Sequence, residues 1–329
     1  SLGVLINVLF GVSLLWSMVI GFVVSALYIW YGGFRAVVRT DILQFILMFV
    51  GFGMLISYSI AEFGGFGFLK ANLPATHLTF TGELPIQTIV VWGLLACWTL
   101  VDPNFYARCF AAKDGNTAKK GVLWSLVFWF IFDMATLLTG LYARAAFPES
   151  DALFSYLTLS NTVLPVIVKG IFVVTLLSII MSTIDSFLFS SSTIIAKDFL
   201  KKKFNNVSLK KLTRVGIIIT LILSLIFVWF FQSIIGIIYA VGTVGVSSLL
   251  LPTLLSIFSK RKLSDNLITI SMVASALTSG VWLAEGWMKQ EYGWPVYRWN
   301  IEPMYIGIAT SVIVLILMWR WLFKKEVEL

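Results

Sequence analysis

Charged side chains are scarce in this sequence, and so are the residues that build metal sites and disulfide frameworks. Only 12% of its 329 residues are Asp, Glu, Lys or Arg, against about 25% in ordinary soluble domains. The chain has one histidine and two cysteines, Cys97 and Cys109, whose separation matches no paired metal or disulfide motif. This composition argues against a soluble domain, a disulfide scaffold and a metal centre of the Cys/His type.

Long apolar stretches stand where charge is missing. Hydrophobic residues make up 59% of the chain, and stretches near the roughly 20 residues needed to cross a bilayer recur along its length. The short alternating segments of a membrane barrel are absent, so we predict an all-α polytopic membrane protein. The first residue, Ser1, already lies inside an apolar stretch, which suggests a truncated start. The predicted spans are 1–11 (partial), 13–32, 41–61, 85–105, 120–146, 163–197, 212–232, 234–258, 264–283 and 303–323.

The formal net charge of +8 is better explained by topology than by a nucleic-acid partner. When the loops are assigned alternately to two sides, the basic clusters fall on one side, which the positive-inside rule places in the cytoplasm. We therefore predict a multi-pass protein of the plasma (inner) membrane with a cytoplasmic C-terminus. The basic residues on that side are Arg35, Arg39, Arg108, Lys113, Lys119, Lys120, Lys197, Lys201, Lys202, Lys203, Lys210, Lys211, Arg214, Lys260, Arg261, Lys262, Arg320, Lys324 and Lys325.

A polar run at residues 178–186 interrupts the apolar span 163–197. On a helix, Ile179, Ser182, Thr183 and Ser186 share one face because they follow the i, i+3, i+4, i+7 pattern. Two hydroxyls and a freed carbonyl near Ile179 could supply the hard oxygen ligands that suit sodium. The alternative is that the hydroxyls bond back to carbonyls four residues earlier or join neighbouring helices.

Asp185 makes a purely structural interpretation of this run less favourable. A carboxylate near the centre of a membrane helix costs about 2.5–3.5 kcal/mol unless it has a partner. No lysine or arginine lies within two helical turns of it in the sequence. A bound ion, protonation and a basic partner from another helix all stay open.

A glycine pair precedes a second acid. Gly32 and Gly33 permit a tight turn between two spans, and Asp41 can then begin the next helix, where a negative charge suits the helix dipole. A position at the inner mouth would also place Asp41 on the route of a departing cation.

A proline near the end of the span 85–105 predicts a break in that helix. Pro103 follows Asp102 directly, and discontinuous helices form the substrate sites of many secondary transporters. The alternative is a helix that ends near Leu100.

Three motifs occur in order over residues 1 to about 260. The first is Gly32–Val37 with Thr40, Asp41 and Gln44, the second is Pro103–Arg108 with Ala111–Lys113, and the third is Met181–Thr183 with Ser191 and Ser192. In combination they resemble the sodium:solute symporter family, which includes bacterial proline and animal glucose and iodide cotransporters.

The resemblance implies a fold of the leucine-transporter type, a five-plus-five inverted repeat with further helices outside it. Residues 1–329 would form a single membrane transport domain. Residues 1–61 would end the first repeat, 85–258 would form the second, and 264–323 would hold two peripheral helices. Core helices 1 and 2 and most of core helix 3 would be absent, and with them the carbonyl ligands that the broken first helix gives to the family's shared sodium site.

The resemblance also implies roles for individual residues. Ser182 and Thr183 match the family's two hydroxyl ligands for sodium, and Ile179 matches the carbonyl ligand one turn earlier. Substrate contacts of the family map to Trp98 and Thr99, although these do not identify the solute.

Some members of the family have a second cation site, which maps here to Asp41, Ser182, Asp185 and Ser186. Asp185 stands where a hydroxyl is usual, so a second sodium, a proton and a salt bridge all stay open.

The function implied is import of a small polar solute, driven by the sodium gradient through alternating access. Sodium is then the coupling ion, the solute and the lipid bilayer are the partners, and no bond is made or broken, so the protein is not expected to be an enzyme. Two alternatives stay open: a symporter-like membrane sensor domain and a proton-coupled transporter.

Overall fold

The chain is almost entirely helical in a computed structural model that describes residues 2–230, 234–259, 263–289 and 295–319. Short 3₁₀ turns connect several helices, and a π-helical turn, Ile195–Leu200, follows the eighth. The α-helices are α1 (Leu2–Phe10), α2 (Leu14–Phe63), α3 (Phe66–Asn72), α4 (Ile86–Leu95), α5 (Pro103–Phe110), α6 (Gly115–Ala146), α7 (Ser155–Val163), α8 (Val166–Ile194), α9 (Lys201–Lys203), α10 (Leu209–Phe230), α11 (Ile234–Phe258), α12 (Asp265–Met288) and α13 (Pro303–Leu317).

The membrane character predicted from the sequence is confirmed. Within the described residues, six helices are long and apolar enough to cross a bilayer, and α13 is a shorter apolar helix. The six are Leu15–Phe63, Ile86–Phe110, Gly115–Ala146, Val166–Lys203, Ile235–Phe258 and Asp265–Met288.

Some predicted features lie outside the described residues. They are the basic cluster 260–262, the residues from 320 onward with their three basic side chains, and the C-terminus whose side of the membrane was predicted.

Two predicted spans, 13–32 and 41–61, fall in two helical segments that meet at Gly33 and are labelled together as α2. α2 runs for 50 residues and is interrupted only at Gly33, whose φ of 55° and ψ of −147° lie outside the helical region. Glycine adopts this conformation at little steric cost, so the glycine pair produces a kink. The helix resumes at once, which places Asp41 inside α2. The expectation that Asp41 begins a helix was therefore wrong.

The predicted break near Pro103 is confirmed. α4 ends at Leu95, a 3₁₀ turn covers Ala96–Leu100, and α5 begins at Pro103. Proline suits a first helical position because its missing N–H would have no partner there. The Asp102 carboxylate accepts a hydrogen bond of 2.9 Å from the Asn104 N–H, as a residue that caps a helix start does.

The chain divides into two compact units. The first comprises Ser1–Thr79 and Ala107–Phe230, and the second comprises Phe80–Tyr106 and Phe231–Leu329. The predicted repeats, which end at residue 61 and run from 85 to 258, concern internal symmetry rather than compactness. They stay a prediction.

In the first unit, α2 and α8 lie in close contact. A Cβ added at Gly51 would lie 2.1 Å from the Thr175 hydroxyl oxygen, so only glycine fits there. That hydroxyl is 2.9 Å from the Leu47 carbonyl on α2. Phe52 and Phe172 pack edge to face at 5.5 Å in the same core. These contacts fix the two helices that carry the candidate site.

In the second unit, α11, α12 and α13 join through small residues. Ser275 on α12 has its hydroxyl oxygen 2.9 Å from the Ser247 carbonyl and 2.7 Å from the Gly307 carbonyl. A Cβ at Gly307 would lie 2.4 Å from the Ser247 hydroxyl oxygen. Small residues of this kind allow membrane helices to approach closely.

Candidate cation site

The polar run of α8 turns its side chains toward different surroundings. Ser182 is half-buried, Thr183 is exposed, and Asp185 is completely buried. Ser186 is half-buried one turn beyond Ser182. The helical face predicted from the spacing is therefore present, and Asp185 lies beside it in a drier environment.

Two of the three predicted sodium ligands lie next to each other. The Thr183 hydroxyl donates to the Ile179 carbonyl at 3.2 Å. This is the back-bond that serine and threonine often make in membrane helices, and it brings two hard oxygen atoms together at one place. The ligand roles of Ile179, Ser182 and Thr183 stay predictions.

The third predicted ligand, Ser182, is bonded to the facing helix. Its hydroxyl donates to one carboxylate oxygen of Asp41 at 2.8 Å, across 141 residues of sequence. The bend at Gly33 and the packing of Phe34 on Phe189, with ring centroids 5.6 Å apart, hold this part of α2 against α8.

Arg108 completes a four-residue polar network. Its Nη2 atom donates to the other Asp41 oxygen at 2.8 Å and to the Ser186 hydroxyl oxygen at 2.7 Å. The Arg108 and Asp41 side chains are 39% and 22% exposed, so they lie at a partly open position. We call Asp41, Arg108, Ser182 and Ser186 the Asp41 network.

Donor and acceptor rules fix the direction of every bond in the Asp41 network. Guanidinium only donates, and an ionised carboxylate only accepts. Ser182 must then donate to Asp41, and Ser186 must accept from Arg108. The lone pairs of the Ser182 oxygen therefore stay available to a cation, whereas Ser186 already uses a lone pair.

Asp185 stands apart from the Asp41 network. Neither of its carboxylate oxygens has a hydrogen-bond partner in the part of the chain that the structure describes. The Ser25 hydroxyl on α2 lies beside it and likewise lacks a partner of normal geometry. The structure thus brings together three of the four residues predicted for a second cation or proton site. Asp185 faces Ser25, and its role stays a prediction.

The predicted substrate contacts, Trp98 and Thr99, belong to the second unit. Both lie in the 3₁₀ turn that interrupts the α4–α5 segment, where Trp98 is half-buried and Thr99 is exposed. Trp98 packs on α11 so closely that a Cβ at Gly245 would lie 2.6 Å from its ring. Their part in solute binding stays a prediction.

Arg108 and Ser25 were not expected at the site. In the sequence, Arg108 belongs to a family motif and to a basic cluster, and 67 residues separate it from Asp41. Ser25 lies in an otherwise apolar stretch. A buried acid needs a partner, but spacing along the chain does not reveal a partner from another helix.

Comparison with known proteins identifies the family of the chain. The sequence profile of the sodium:solute symporter family matches residues 1–266. The chain belongs to the sodium:solute symporter family. It is 32% identical over 237 residues to the sodium/pantothenate symporter of Haemophilus influenzae, covering 68% of this chain and 49% of the relative. It is 27% identical over 303 residues to the high-affinity proline transporter PutP of Bacillus subtilis, covering 86% and 63%.

The fold also matches a solved structure. A Na⁺-coupled sialic acid symporter in its substrate-bound outward-open state superimposes with a TM-score of 0.73, at 17% identity, over 100% of this chain and 72% of that one. This confirms the all-helical, leucine-transporter type of fold. The chain spans about half the length of the sodium/pantothenate symporters it matches, 49% and 43%. These relatives are transporters, in line with the expectation that the protein is not an enzyme.

Proposed function

We propose that this chain forms the transport domain of a symporter that imports a small polar solute on the sodium gradient through alternating access. The observation that carries the proposal is the bond from Ser182 to Asp41, which joins a family-matched hydroxyl to a charged network on the facing helix. The relatives named as sodium/pantothenate symporters support sodium coupling. Location in the plasma membrane, with the C-terminus in the cytoplasm, is part of the proposal.

The donor set fits sodium. Ser182 and Thr183 offer hydroxyl oxygens, and Ile179 offers a carbonyl at the same turn. Such hard oxygen ligands suit small cations. Sodium bound there would favour the state that accepts solute from outside, and its release to the cytoplasm would favour solute release, because a ligand shifts an equilibrium only by binding one state more tightly.

The number of coupled charges decides how strongly the solute is concentrated. Each charge that moves inward gains about 2.3 kcal/mol per 100 mV of membrane potential. At about 1.4 kcal/mol per decade, this gain corresponds to roughly fifty-fold accumulation.

The test is uptake by the full-length protein carrying Ser182→Ala with Thr183→Ala. We expect sodium-stimulated uptake to be lost, because two of the proposed oxygen ligands disappear. The matched control is Ser192→Ala with Thr193→Ala, a second Ser-Thr pair on α8 whose hydroxyls both bond back to Phe189 at 2.8 Å. The control is expected to keep its sodium response.

The solute can be identified by measuring uptake of a panel of sugars, amino acids, carboxylates and vitamins, including pantothenate and proline, each with and without sodium.

Unchanged sodium dependence in the Ser182/Thr183 variant would contradict the site. Uptake that depends on pH and not on sodium would show that a proton, rather than sodium, is the coupling ion. Sodium and solute binding without uptake would favour a sensor domain.

A further inference from the structure

The proposed sodium ligands are all neutral, so none of them balances the charge of a bound ion. Ser182 and Thr183 offer hydroxyl oxygens, and Ile179 offers a backbone carbonyl. Moving a cation out of water is costly unless an opposite charge lies nearby. The acids around this site therefore decide how tightly sodium is held.

The acids of α2 do not supply that opposite charge. The Asp41 carboxylate is paired with the Arg108 guanidinium at 2.8 Å, so the two charges cancel. The other acid of α2 is Glu62, which is exposed in the last turn of the helix. It lies at the far end of the second helical segment from Asp41.

Asp185 is placed to supply the charge. It is the one acid of α8, three residues after Ser182 and two after Thr183. Side chains three residues apart on a helix are neighbours, with Cβ atoms about 5–6 Å apart. Asp185 is completely buried, and neither of its carboxylate oxygens has a hydrogen-bond partner among the described residues. Its charge is therefore only weakly screened by water.

The helices that pack against α8 bring no positive partner to Asp185. Arg35 and Arg39 of α2 are exposed. The basic residues of α10 lie in its first two turns, and the last of them, Arg214, is 3.3 Å from the Trp30 carbonyl, to which it donates. The described residues of α1 and α7, which also contact α8, carry no charge.

We propose that Asp185 is the counter-charge of the sodium ion bound at Ser182 and Thr183, which it attracts through space without coordinating it. It is a positioning residue, because its side chain faces Ser25 on the first segment of α2, whereas Ser182 faces Asp41 on the second. This inference rests on the proposed sodium-coupled function and names the residue that sets its sodium affinity.

The experiment measures sodium binding by the full-length protein, as sodium-dependent thermal stabilisation, and the half-saturation of uptake by sodium in proteoliposomes. Asp185→Asn keeps the shape of the side chain and removes its charge. A charge about 8 Å from the ion, at an effective dielectric constant of about 20, changes a binding constant roughly thirtyfold. We expect Asp185→Asn to raise both half-saturation concentrations by this factor.

In sodium-free buffer, the same variant is expected to unfold at a higher temperature than the unmodified protein, because the buried charge is gone. A purely structural role would not lower sodium affinity while raising stability. The matched control is Asp133→Asn, which removes an exposed acid from the apolar helix Gly115–Ala146. We expect it to leave the half-saturation concentrations unchanged.

Lithium separates attraction through space from coordination. A distant charge acts equally on two small monovalent cations, so Asp185→Asn should raise the half-saturation concentrations for lithium and sodium by the same factor. A changed ratio between the two ions would show that Asp185 coordinates the cation, and would overturn the inference.

The outcomes separate the inference from the function on which it rests. Unchanged sodium half-saturation in Asp185→Asn, with the sodium response lost in the Ser182/Thr183 variant, would overturn the inference and leave sodium coupling intact. The absence of any sodium response in the unmodified protein would overturn the proposed function, and the inference with it. If Asp185→Asn does not fold, Asp185→Ser, with the hydroxyl that is usual at this position, is measured in its place with the same expectation.

Discussion

The two units of this chain use buried polar side chains in opposite ways. In the second unit, the buried serine hydroxyls of α11, α12 and α13 are neutral, and they bond to carbonyls and to one another. In the first unit, the polar side chains between α2 and α8 include two carboxylates and a guanidinium. The serines of the second unit that are 0% exposed are Ser247, Ser271, Ser275, Ser279 and Ser311.

This difference distinguishes neutral polar side chains that join helices from charged side chains that serve function. A serine that bonds to a backbone carbonyl or another hydroxyl leaves no charge to neutralise, as in the Ser271–Ser311 contact at 3.0 Å. Such contacts join helices in membranes, where apolar burial cannot. A buried carboxylate without a hydrogen-bond partner among the described residues, as Asp185 is, is costly, and such acids in membrane proteins chiefly serve function.

The largest effect on stability is expected at Gly307, where the three helices of the second unit pack most closely. Valine there would bring Cβ to 2.4 Å from the Ser247 hydroxyl oxygen and 2.9 Å from Ser279 Cβ. We expect Gly307→Val to reduce the free energy of unfolding by about 3 kcal/mol, because α11, α12 and α13 must move apart. Unfolding in mixed micelles measures the change. Gly280→Val is the matched control, since a Cβ at Gly280 would meet no atom within 4 Å, and an equal loss in both variants would contradict the close packing.

At Asp185, in contrast, we expect a substitution to stabilise the protein. No described residue makes a hydrogen bond of normal geometry to the buried Asp185 carboxylate, so we expect Asp185→Asn to raise the free energy of unfolding by about 1–2 kcal/mol. Asp41→Asn should be destabilising, because it takes the charged partner from Arg108. Thermal unfolding of both variants under identical conditions makes the comparison. If Asp185→Asn is the more destabilising of the two, Asp185 has a partner in the folded protein.

A smaller loss is expected when one hydroxyl is taken from the second unit. Ser275→Ala removes contacts to the Ser247 and Gly307 carbonyls, and hydrogen bonds between membrane helices contribute about 0.6 kcal/mol on average. Unfolding in mixed micelles tests this. Ser57→Ala, an exposed serine that bonds only within its own helix, should change stability less. An effect of Ser275→Ala on sodium dependence would contradict its purely structural role.

The smallest effect is expected at an exposed acid outside both clusters. Asp114 caps α6 by accepting a hydrogen bond from the Thr117 N–H at 2.7 Å, and this bond lowers the pKa of Asp114 below its ordinary 3.8. The cap therefore stabilises the fold fully above the ordinary pKa and is lost as the pH falls through the lowered one. Asp114→Ala should cause a small loss in thermal stability at neutral pH that disappears in strong acid. A loss that persists in strong acid would contradict the charge-dependent cap.

Much of the fold could be predicted because hydropathy and local signals act along the chain. The apolar lengths predicted α6, α8, α11 and α12 to within a few residues, and Pro103 predicted the break before α5. The glycine pair predicted a turn, and a non-helical residue, Gly33, lies between the two helical segments of α2. Ser271, Ser275 and Ser279 share one face of α12 and contact α11 and α13, an arrangement that the sequence analysis did not predict.

The site could be predicted only in part. Helical periodicity placed Ser182, Thr183 and Ser186 on one face of α8, since that depends on one helix alone. The part of Arg108 in the site could not be predicted from periodicity, because its partner Asp41 lies 67 residues away on another helix. Asp185 was predicted to join Asp41, but its orientation toward Ser25 depends on how α2 and α8 pack.

The sequence by itself determined a helical membrane protein of the sodium:solute symporter family and the polar face of α8. Hydropathy, periodicity and motif order are local or linear properties, and they need no tertiary contact. Only the tertiary structure decided that Asp41 pairs with Arg108, that Ser182 donates to Asp41, and that Asp185 lies buried beside Ser25. The physical reason is that charge neutralisation and hydrogen-bond direction depend on distances between helices, which the packing of side chains alone establishes.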